Sequence, residues 1–253
     1  MAERSEQQGR SRRFVRWVAG LVCVVIVAGC QSTPKPNPLA ARTRLEPLLE
    51  AWHRARTEDG GCEERRATDT PITDCESVSR GIARLAVEFP RDPEVLLALA
   101  VVDFERRRKE DALKTLDVLR SIEPIHPKAA VLRARIAIEE GNLRFARRLL
   151  EEQRELTPDH AGLWEMLASV AYLEGEHAEA NRSLDIAGRL GAPVWRVAYH
   201  RGLVAEASGR SDEAARAYSA CLEAAPDFAP ASSRLRGLAV KNGDWGASGV
   251  PTR

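Results

Sequence analysis

The sequence predicts an all-α fold, a right-handed α-solenoid built from stacked helix-turn-helix hairpins. The composition favours helix over sheet, because 44% of the residues are hydrophobic but only 5% are aromatic, and Ala, Leu, Glu and Arg are abundant. The prolines supply a second observation: Pro90, Pro124 and Pro158 lie 34 residues apart, and Pro226 follows after twice that distance. A fixed period of this length is typical of helical-repeat architectures.

Five further columns of residues keep the same 34-residue step. The first column contains only alanine, at Ala112, Ala146, Ala180 and Ala214. The second contains small residues, at Ala100, Ala134, Ala168 and Gly202. The third contains Gly141, Gly175, Gly209 and Gly243, with Arg107 at the start of the series. The last two contain larger side chains, at Leu116, Leu150, Leu184 and Tyr218 and at Val102, Ile136, Val170 and Val204.

Each column has a physical explanation within one hairpin. Small residues let the first helix (helix A) approach the second (helix B), and the alanine column marks the point where the two cross. Glycine ends helix A in a left-handed turn, a conformation that other residues adopt at a cost. Proline ends helix B, because it cannot continue a helix.

The pattern resembles the tetratricopeptide repeat, and the resemblance implies four repeats, over 93–126, 127–160, 161–194 and 195–228. Before them, residues 39–92 are expected to form a degenerate hairpin of the same kind, in which Pro47 either starts or kinks the first helix. After them, residues 229–246 are expected to form a capping helix that covers the last apolar face. A flexible tail is expected over residues 247–253.

The N-terminal residues 1–29 have the features of a secretory signal peptide. Residues 1–16 are polar and basic, and residues 17–29 form an apolar run. A membrane-spanning helix needs about 20 residues, more than this run supplies. An uncleaved anchor and a cleaved signal without lipid are the alternatives.

The segment that ends this run, Val27–Cys30, resembles the lipobox of bacterial lipoproteins. The resemblance implies cleavage before Cys30 and acylation of its sulfur and of its new amine. Two or three acyl chains hold a protein stably at a membrane, whereas one binds only marginally. Residues 30–38, which contain three prolines, are then a lipidated tether. Gln31 stands where Asp favours retention in the inner membrane, so the resemblance implies the outer membrane, facing the periplasm.

Two cysteines, Cys62 and Cys75, bracket an insert in the degenerate hairpin. Export places them in an oxidising compartment. A disulfide between them is expected, with a stabilisation of about 3 kcal/mol from loop entropy. Two solvent-facing thiols in a flexible loop are the alternative. Cys221 falls within a helix B and is expected to be a buried thiol.

No catalytic residue, metal site or cofactor is predicted. The sequence has no Gly-rich phosphate loop, no nucleophile elbow and no metal-type histidine spacing. His126 and His160 occupy corresponding loops and are expected to be solvated. Residues 1–29 carry five arginines and two glutamates, so the rest of the chain has 33 basic and 35 acidic residues, a net charge of −2. This balance argues against a nucleic-acid partner.

In tetratricopeptide arrays the helices A line a concave groove, and the resemblance implies that this protein binds proteins or peptides there. The slots that point inward are the second, fifth, ninth, twelfth and thirteenth residues of a repeat, and Leu173 is among their occupants. The residues expected to bind a partner there are Leu97, Val101, Phe104, Val131, Arg135, Ile138, Tyr172, Arg196, Tyr199 and Leu203. Exposed apolar surface marks binding sites, and aromatic and arginine side chains are common anchors. The alternative is that several of these side chains pack between adjacent helices.

The family's clamp for a C-terminal carboxylate uses Lys, Asn and Arg at slots such as the sixth and ninth of a repeat, and this sequence departs from it. Those slots hold Ala98, Val101, Leu132, Arg135, Met166, Ser169, His200 and Leu203. The sequence therefore predicts an extended or helical apolar segment as the bound partner.

The predicted function is a membrane-anchored, non-enzymatic lipoprotein that acts as a scaffold or assembly factor in the bacterial cell envelope. A non-catalytic subunit or regulator of a peptidoglycan, secretion or pilus machinery is an alternative. An enzyme with an unrecognised site is another, and a small-ligand module would require a deep, closed pocket. The sequence determines neither the partner nor the oligomeric state.

Overall fold

A computed structural model describes residues 38–57 and 75–241, which contain eleven α-helices and no strand. The first hairpin consists of α1 (Pro38–Thr57) and α2 (Cys75–Glu88). The next eight helices are α3 (Pro93–Glu105), α4 (Lys109–Ile122), α5 (Pro127–Glu139), α6 (Leu143–Leu156), α7 (Ala161–Leu173), α8 (His177–Arg189), α9 (Val194–Ala207) and α10 (Ser211–Ala224). The last helix is α11 (Ala229–Lys241).

Consecutive helices pair as antiparallel hairpins, and the hairpins stack in chain order. The first helices of the hairpins (helices A) are α1, α3, α5, α7 and α9, and each of the first four also packs on the helix A of the next hairpin. Successive helices B within the described residues make no comparable contact, so the array curves with the helices A on its inner side. The predicted all-α helical-repeat solenoid is confirmed.

Local sequence signals fix where these helices begin and end. The Asp92 side chain accepts hydrogen bonds of 3.1 Å from the N–H groups of Glu94 and Val95, with Pro93 in the first helical position. Four of the five described helices B end two residues before a proline, as at Ile122 and Pro124, and the exception is α8. Side-chain capping therefore marks where a helix begins, and a proline, which lacks an N–H group, marks where a helix B has ended.

The turn from helix A to helix B repeats one backbone motif. Gly141, Gly175 and Gly209 have φ angles of 74°, 80° and 74°, as the glycine column predicts. After Gly141, the Asn142 N–H donates to the carbonyl of Ala137 at 2.8 Å, closing a Schellman-type cap. The fourth glycine of the column, Gly243, lies outside the described residues.

The first repeat uses the same turn without glycine. Arg107 has a φ of 62°, and the Arg108 N–H donates to the carbonyl of Asp103 at 2.8 Å. A left-handed backbone costs an L-residue about 1–2 kcal/mol. The fold therefore imposes the glycine conformation on an arginine.

Arg107→Gly is expected to stabilise the protein by about 0.5–1 kcal/mol, because relief of left-handed strain exceeds the added entropy of the unfolded chain. Urea unfolding followed by circular dichroism measures the change. Gly175→Ala is the matched control: a Cβ there meets nothing within 4 Å, so its loss of about 1 kcal/mol reports backbone strain alone. Equal or lower stability of Arg107→Gly would show that Arg107 contributes more through its side chain than its backbone costs.

The degenerate hairpin is tied to the first repeat by apolar packing. Trp52 on α1 and Leu85 on α2 are buried in the same core as Val95 and Val102 on α3. Pro47 lies inside α1, which continues through it. Cys75 is the first residue of α2, whereas Cys62 lies outside the described residues, so the Cys62–Cys75 disulfide stays a prediction.

Two histidines differ from the expectation of solvated loops. His126 is buried and caps α5, its Nδ1 accepting from the Ala129 N–H at 3.3 Å. It is covered from the next repeat by Gln153, whose Oε1 accepts from the His126 N–H at 3.1 Å. His160 is partly buried at the start of α7, and burial lowers its pKa. The expectation was wrong for His126, whereas Cys221 is buried as predicted.

Candidate binding groove

The groove is the inner surface of the array, formed by α3, α5, α7 and α9. Three contacts join successive helices A along this side. The Trp52 Nε1 of α1 donates to the Glu105 carboxylate of α3 at 2.6 Å. The Arg135 guanidinium of α5 lies 4.9 Å from the centre of the Phe104 ring of α3. The Arg196 guanidinium of α9 donates to Glu165 of α7.

Two predicted groove residues are buried. Leu97 is 8% exposed and Phe104 is 7% exposed, and both pack in the core formed by α3, α4 and α5. The alternative of packing between helices therefore holds for this pair. They form the floor under the groove and do not present free side chains to a partner.

The remaining predicted residues lie nearer the surface. Arg135 is exposed, and the others are partly buried: Val101, Val131, Ile138, Tyr172, Arg196, Tyr199 and Leu203. Tyr199 has a structural role as well, because its ring packs edge-on against Phe228 with centroids 5.0 Å apart and lies 5.9 Å from the Tyr218 ring. Substitution of Tyr199 would therefore disturb the C-terminal core, and it is a poor probe of binding.

One further apolar residue in an inward slot is exposed. Leu173, the last residue of α7, is 49% exposed. It is the thirteenth residue of its repeat, a position at which the first two repeats hold Glu105 and Glu139.

The ion pair between Arg196 and Glu165 is the main polar feature of the groove wall. Arg196 Nε and Nη2 donate to the two carboxylate oxygens at 3.1 and 2.8 Å, a bidentate geometry. The Glu165 side chain is buried, and burial raises its pKa although Arg196 opposes the shift. Nearby His200 has a lowered pKa, through burial and then the Arg196 charge. The pair locks α7 to α9 and is already satisfied within the protein.

The helices α4, α5 and α6 enclose a small cavity. It has room for about 30 Å³ and is lined in part by His126, Arg133 and Gln153. That space admits only a few water molecules. No group of three or more His, Cys, Asp or Glu in the described residues could hold a metal ion.

Comparisons with known proteins show the fold. No protein-family model matches the chain, and no curated protein matches it. A solved thermophilic tetratricopeptide-repeat protein of Thermus thermophilus is 22% identical, with a TM-score of 0.61 over 79% of this chain and 99% of that one. A tetratricopeptide repeat protein from Parabacteroides merdae is 16% identical, with a TM-score of 0.60 over 79% of this chain and 76% of that one. PilW, a type IV pilus biogenesis factor, is 9% identical, with a TM-score of 0.60 over 82% of this chain and 96% of that one.

The fold is that of the tetratricopeptide repeat. At these identities the similarity concerns the fold alone. In the described part of the chain, no helix combines the length and the apolar character needed to cross a membrane. Cys30 and the signal segment lie outside the described residues.

Proposed function

We propose that this protein is a membrane-anchored scaffold that binds other proteins in its tetratricopeptide groove. The observation that carries the proposal is the inner surface itself, where apolar side chains from four successive helices A remain at least partly exposed: Val101, Val131, Ile138, Tyr172, Leu173 and Leu203. Side chains of this kind that line a curved surface favour a bound peptide or helix.

The open shape of this surface supports a protein partner over a small ligand. Small-molecule sites are concave pockets of about 300–1,000 Å³ that enclose most of the ligand. The cavity formed by α4, α5 and α6 has about 30 Å³, and a larger space of about 550 Å³ at the turn from α9 to α10, beside Gly209 and Arg216, is wide open to solvent and does not enclose a ligand. An extended or helical segment, in contrast, can lie along a groove formed by several helices.

Leu173→Arg is expected to abolish partner binding without unfolding the protein. An arginine at this exposed position places a charge in the apolar surface that the partner must cover, and it displaces no core side chain. A photo-crosslinking amino acid at position 173 should capture the partner in cells, and Leu173→Arg in co-precipitation should remove it.

Val118 provides the matched control for the groove experiment. It lies on α4, a helix B, and is 46% exposed, close to the 49% of Leu173. Val118→Arg should leave partner capture unchanged, and a crosslinker at 118 should not label the same protein. The groove would be excluded as the partner site if both variants lost binding equally, or if neither variant lost binding.

The membrane anchor is proposed at Cys30, whose sulfur would carry the lipid. Cells grown with labelled palmitate should incorporate label into the wild-type protein, and Cys30→Ser should carry none. Cys23→Ser is the control, because it changes a cysteine inside the proposed signal and should retain the label. Fractionation of the membranes should place the wild-type protein in the outer membrane. Label that persists in Cys30→Ser would contradict the lipid assignment.

A further inference from the structure

We infer that the groove selects a segment that carries an acidic side chain between apolar residues, and that Arg135 binds this carboxylate. The inference rests on the proposed function of the groove and adds the chemistry of its partner. It follows from the charges that the groove leaves available and from the way Arg135 is held.

Most acidic groups on the helices A are already engaged inside the protein. Glu105 accepts from Trp52, Glu139 pairs with Lys109 at 2.6 Å, and Glu165 pairs with Arg196. Glu206 accepts from the Tyr218 hydroxyl at 2.7 Å and from Arg234 at 3.3 Å. The carboxylates that could repel an acidic partner are therefore largely compensated.

Arg135 differs from these groups. Its side chain is exposed in the middle of α5, and it forms no ion pair with a carboxylate of the described residues. Exposed Lys128 and exposed Glu94 are the second residues of α5 and α3, so their opposite charges offset each other at one end of the groove. Glu94 lies ten residues before Phe104, about 15 Å along α3 from the ring that Arg135 contacts. The free charge at the centre of the groove is positive.

The Phe104 ring orients the Arg135 guanidinium for this role. The Arg135 Cζ lies over the ring, 4.9 Å from its centre. A cation–π contact of this kind uses none of the N–H groups, and the planar guanidinium fork donates two hydrogen bonds to one carboxylate. Because Phe104 is buried, it is a fixed support, so less side-chain entropy is lost on binding.

Apolar surface borders Arg135 on both sides. Val131 lies one turn before it and Ile138 one turn after it on α5, and Val101 lies on the neighbouring α3. An acidic side chain seated on Arg135 therefore brings its own neighbours against apolar side chains. A segment of mixed acidic and apolar residues fits this surface better than a uniformly charged one.

Selection of random 12-residue peptides, displayed without a free carboxyl end, on the detergent-solubilised full-length protein tests the inference. Enriched peptides should contain Asp or Glu next to apolar residues. On Arg135→Glu protein, the preference should change to Lys or Arg. Arg148→Glu, on the exposed face of α6, is the matched charge reversal and should leave the preference for acidic residues unchanged.

Affinities of a selected peptide, synthesised with an amidated end, give the magnitude. Arg135→Gln should weaken binding by about ten- to a hundredfold, the effect of losing a charge-assisted hydrogen-bonded pair. Arg135→Lys should bind with an affinity between those of wild type and Arg135→Gln, because it keeps the charge but loses the planar fork. Melting curves of the variants, matched to wild type, show that folding is intact.

The outcomes separate this inference from the proposed function. Two results would overturn the role of Arg135 and leave groove binding standing, provided that the peptides lose binding to Leu173→Arg. In the first, the selected peptides show no preference for acidic residues. In the second, the acidic preference persists on the Arg135→Glu protein. Peptides that bind Leu173→Arg as well as wild type, or a selection that yields none, would contradict both.

Discussion

Gly202→Ala is expected to destabilise the protein by about 2–3 kcal/mol, the upper range for overpacking a core. A Cβ at position 202 would lie 2.5 Å from Cδ1 and 2.9 Å from Cζ of the Tyr218 ring. Tyr218 is fully buried, and its hydroxyl donates to Glu206 at 2.7 Å. The ring is held at both ends, so the helices α9 and α10 must separate to admit the methyl group.

The other repeats suggest how to relieve this clash. Where repeats one to three have alanine in the small-residue column, they have leucine in the column that holds Tyr218. In the fourth repeat, the smaller Gly202 occurs together with the larger Tyr218. Tyr218→Leu combined with Gly202→Ala restores the pair seen in the other repeats, and the double variant should lose less stability than the two single variants together.

Unfolding in urea measures all three variants. Gly237→Ala, in the middle of α11, is the matched control, because a Cβ there meets nothing within 4 Å. It should stabilise the protein by up to about 1 kcal/mol, the helix-propensity difference between the two residues. A Gly202→Ala protein as stable as wild type would show that α9 and α10 can separate at little cost.

Arg196→Ala is expected to cost about 2 kcal/mol at neutral pH, less than the 3–5 kcal/mol for a fully buried pair because Arg196 is partly in water. Glu165 would remain as a carboxylate whose side chain is 10% exposed. The position lies on the groove, so this variant also separates stability from binding.

The loss should shrink as the pH falls. Burial already raises the pKa of Glu165 above its ordinary value of 4.5, and removal of Arg196 removes the charge that opposes the shift. The folded variant then binds a proton at a higher pH than the unfolded chain does. Its stability is therefore lowest at neutral pH and is regained as the pH falls through the raised pKa towards 4.5.

Urea unfolding of wild type and Arg196→Ala at pH 7 and pH 5 tests this dependence. Arg196→Ala combined with Glu165→Gln is the control, since the amide cannot titrate and the pH-dependent part should disappear. An equal loss at both pH values would show that Glu165 is not the group left unpaired.

Much of the fold follows from residues that act alone. A glycine reaches a left-handed φ and a proline lacks an N–H wherever they stand, so Gly141, Gly175 and Pro124 mark turns and helix ends without knowledge of the neighbours. Spaced by 34 residues, these signals repeat the hairpin and determine the solenoid. Arg107 shows the limit of this logic, because the surrounding repeat imposes the turn on a residue that disfavours it.

The binding groove was predicted less completely. Slot numbers within a repeat gave the side of helix A on which each residue lies, and they led to Val131, Arg135, Ile138 and Leu203. They did not give depth, which depends on the distance between successive helices A and on the size of the side chains there. Leu97 and Phe104 occupy inward slots but are buried for this reason.

The sequence by itself determined the repeat, its period and the face that looks inward. The tertiary structure decided which side chains on that face are already paired. Glu165 meets Arg196 and Phe104 meets Arg135 across 31 residues of chain. Each pair joins two repeats, so its contact depends on how closely the repeats stack and on the rotamers that stacking allows, and neither is written in the spacing of residues along the chain.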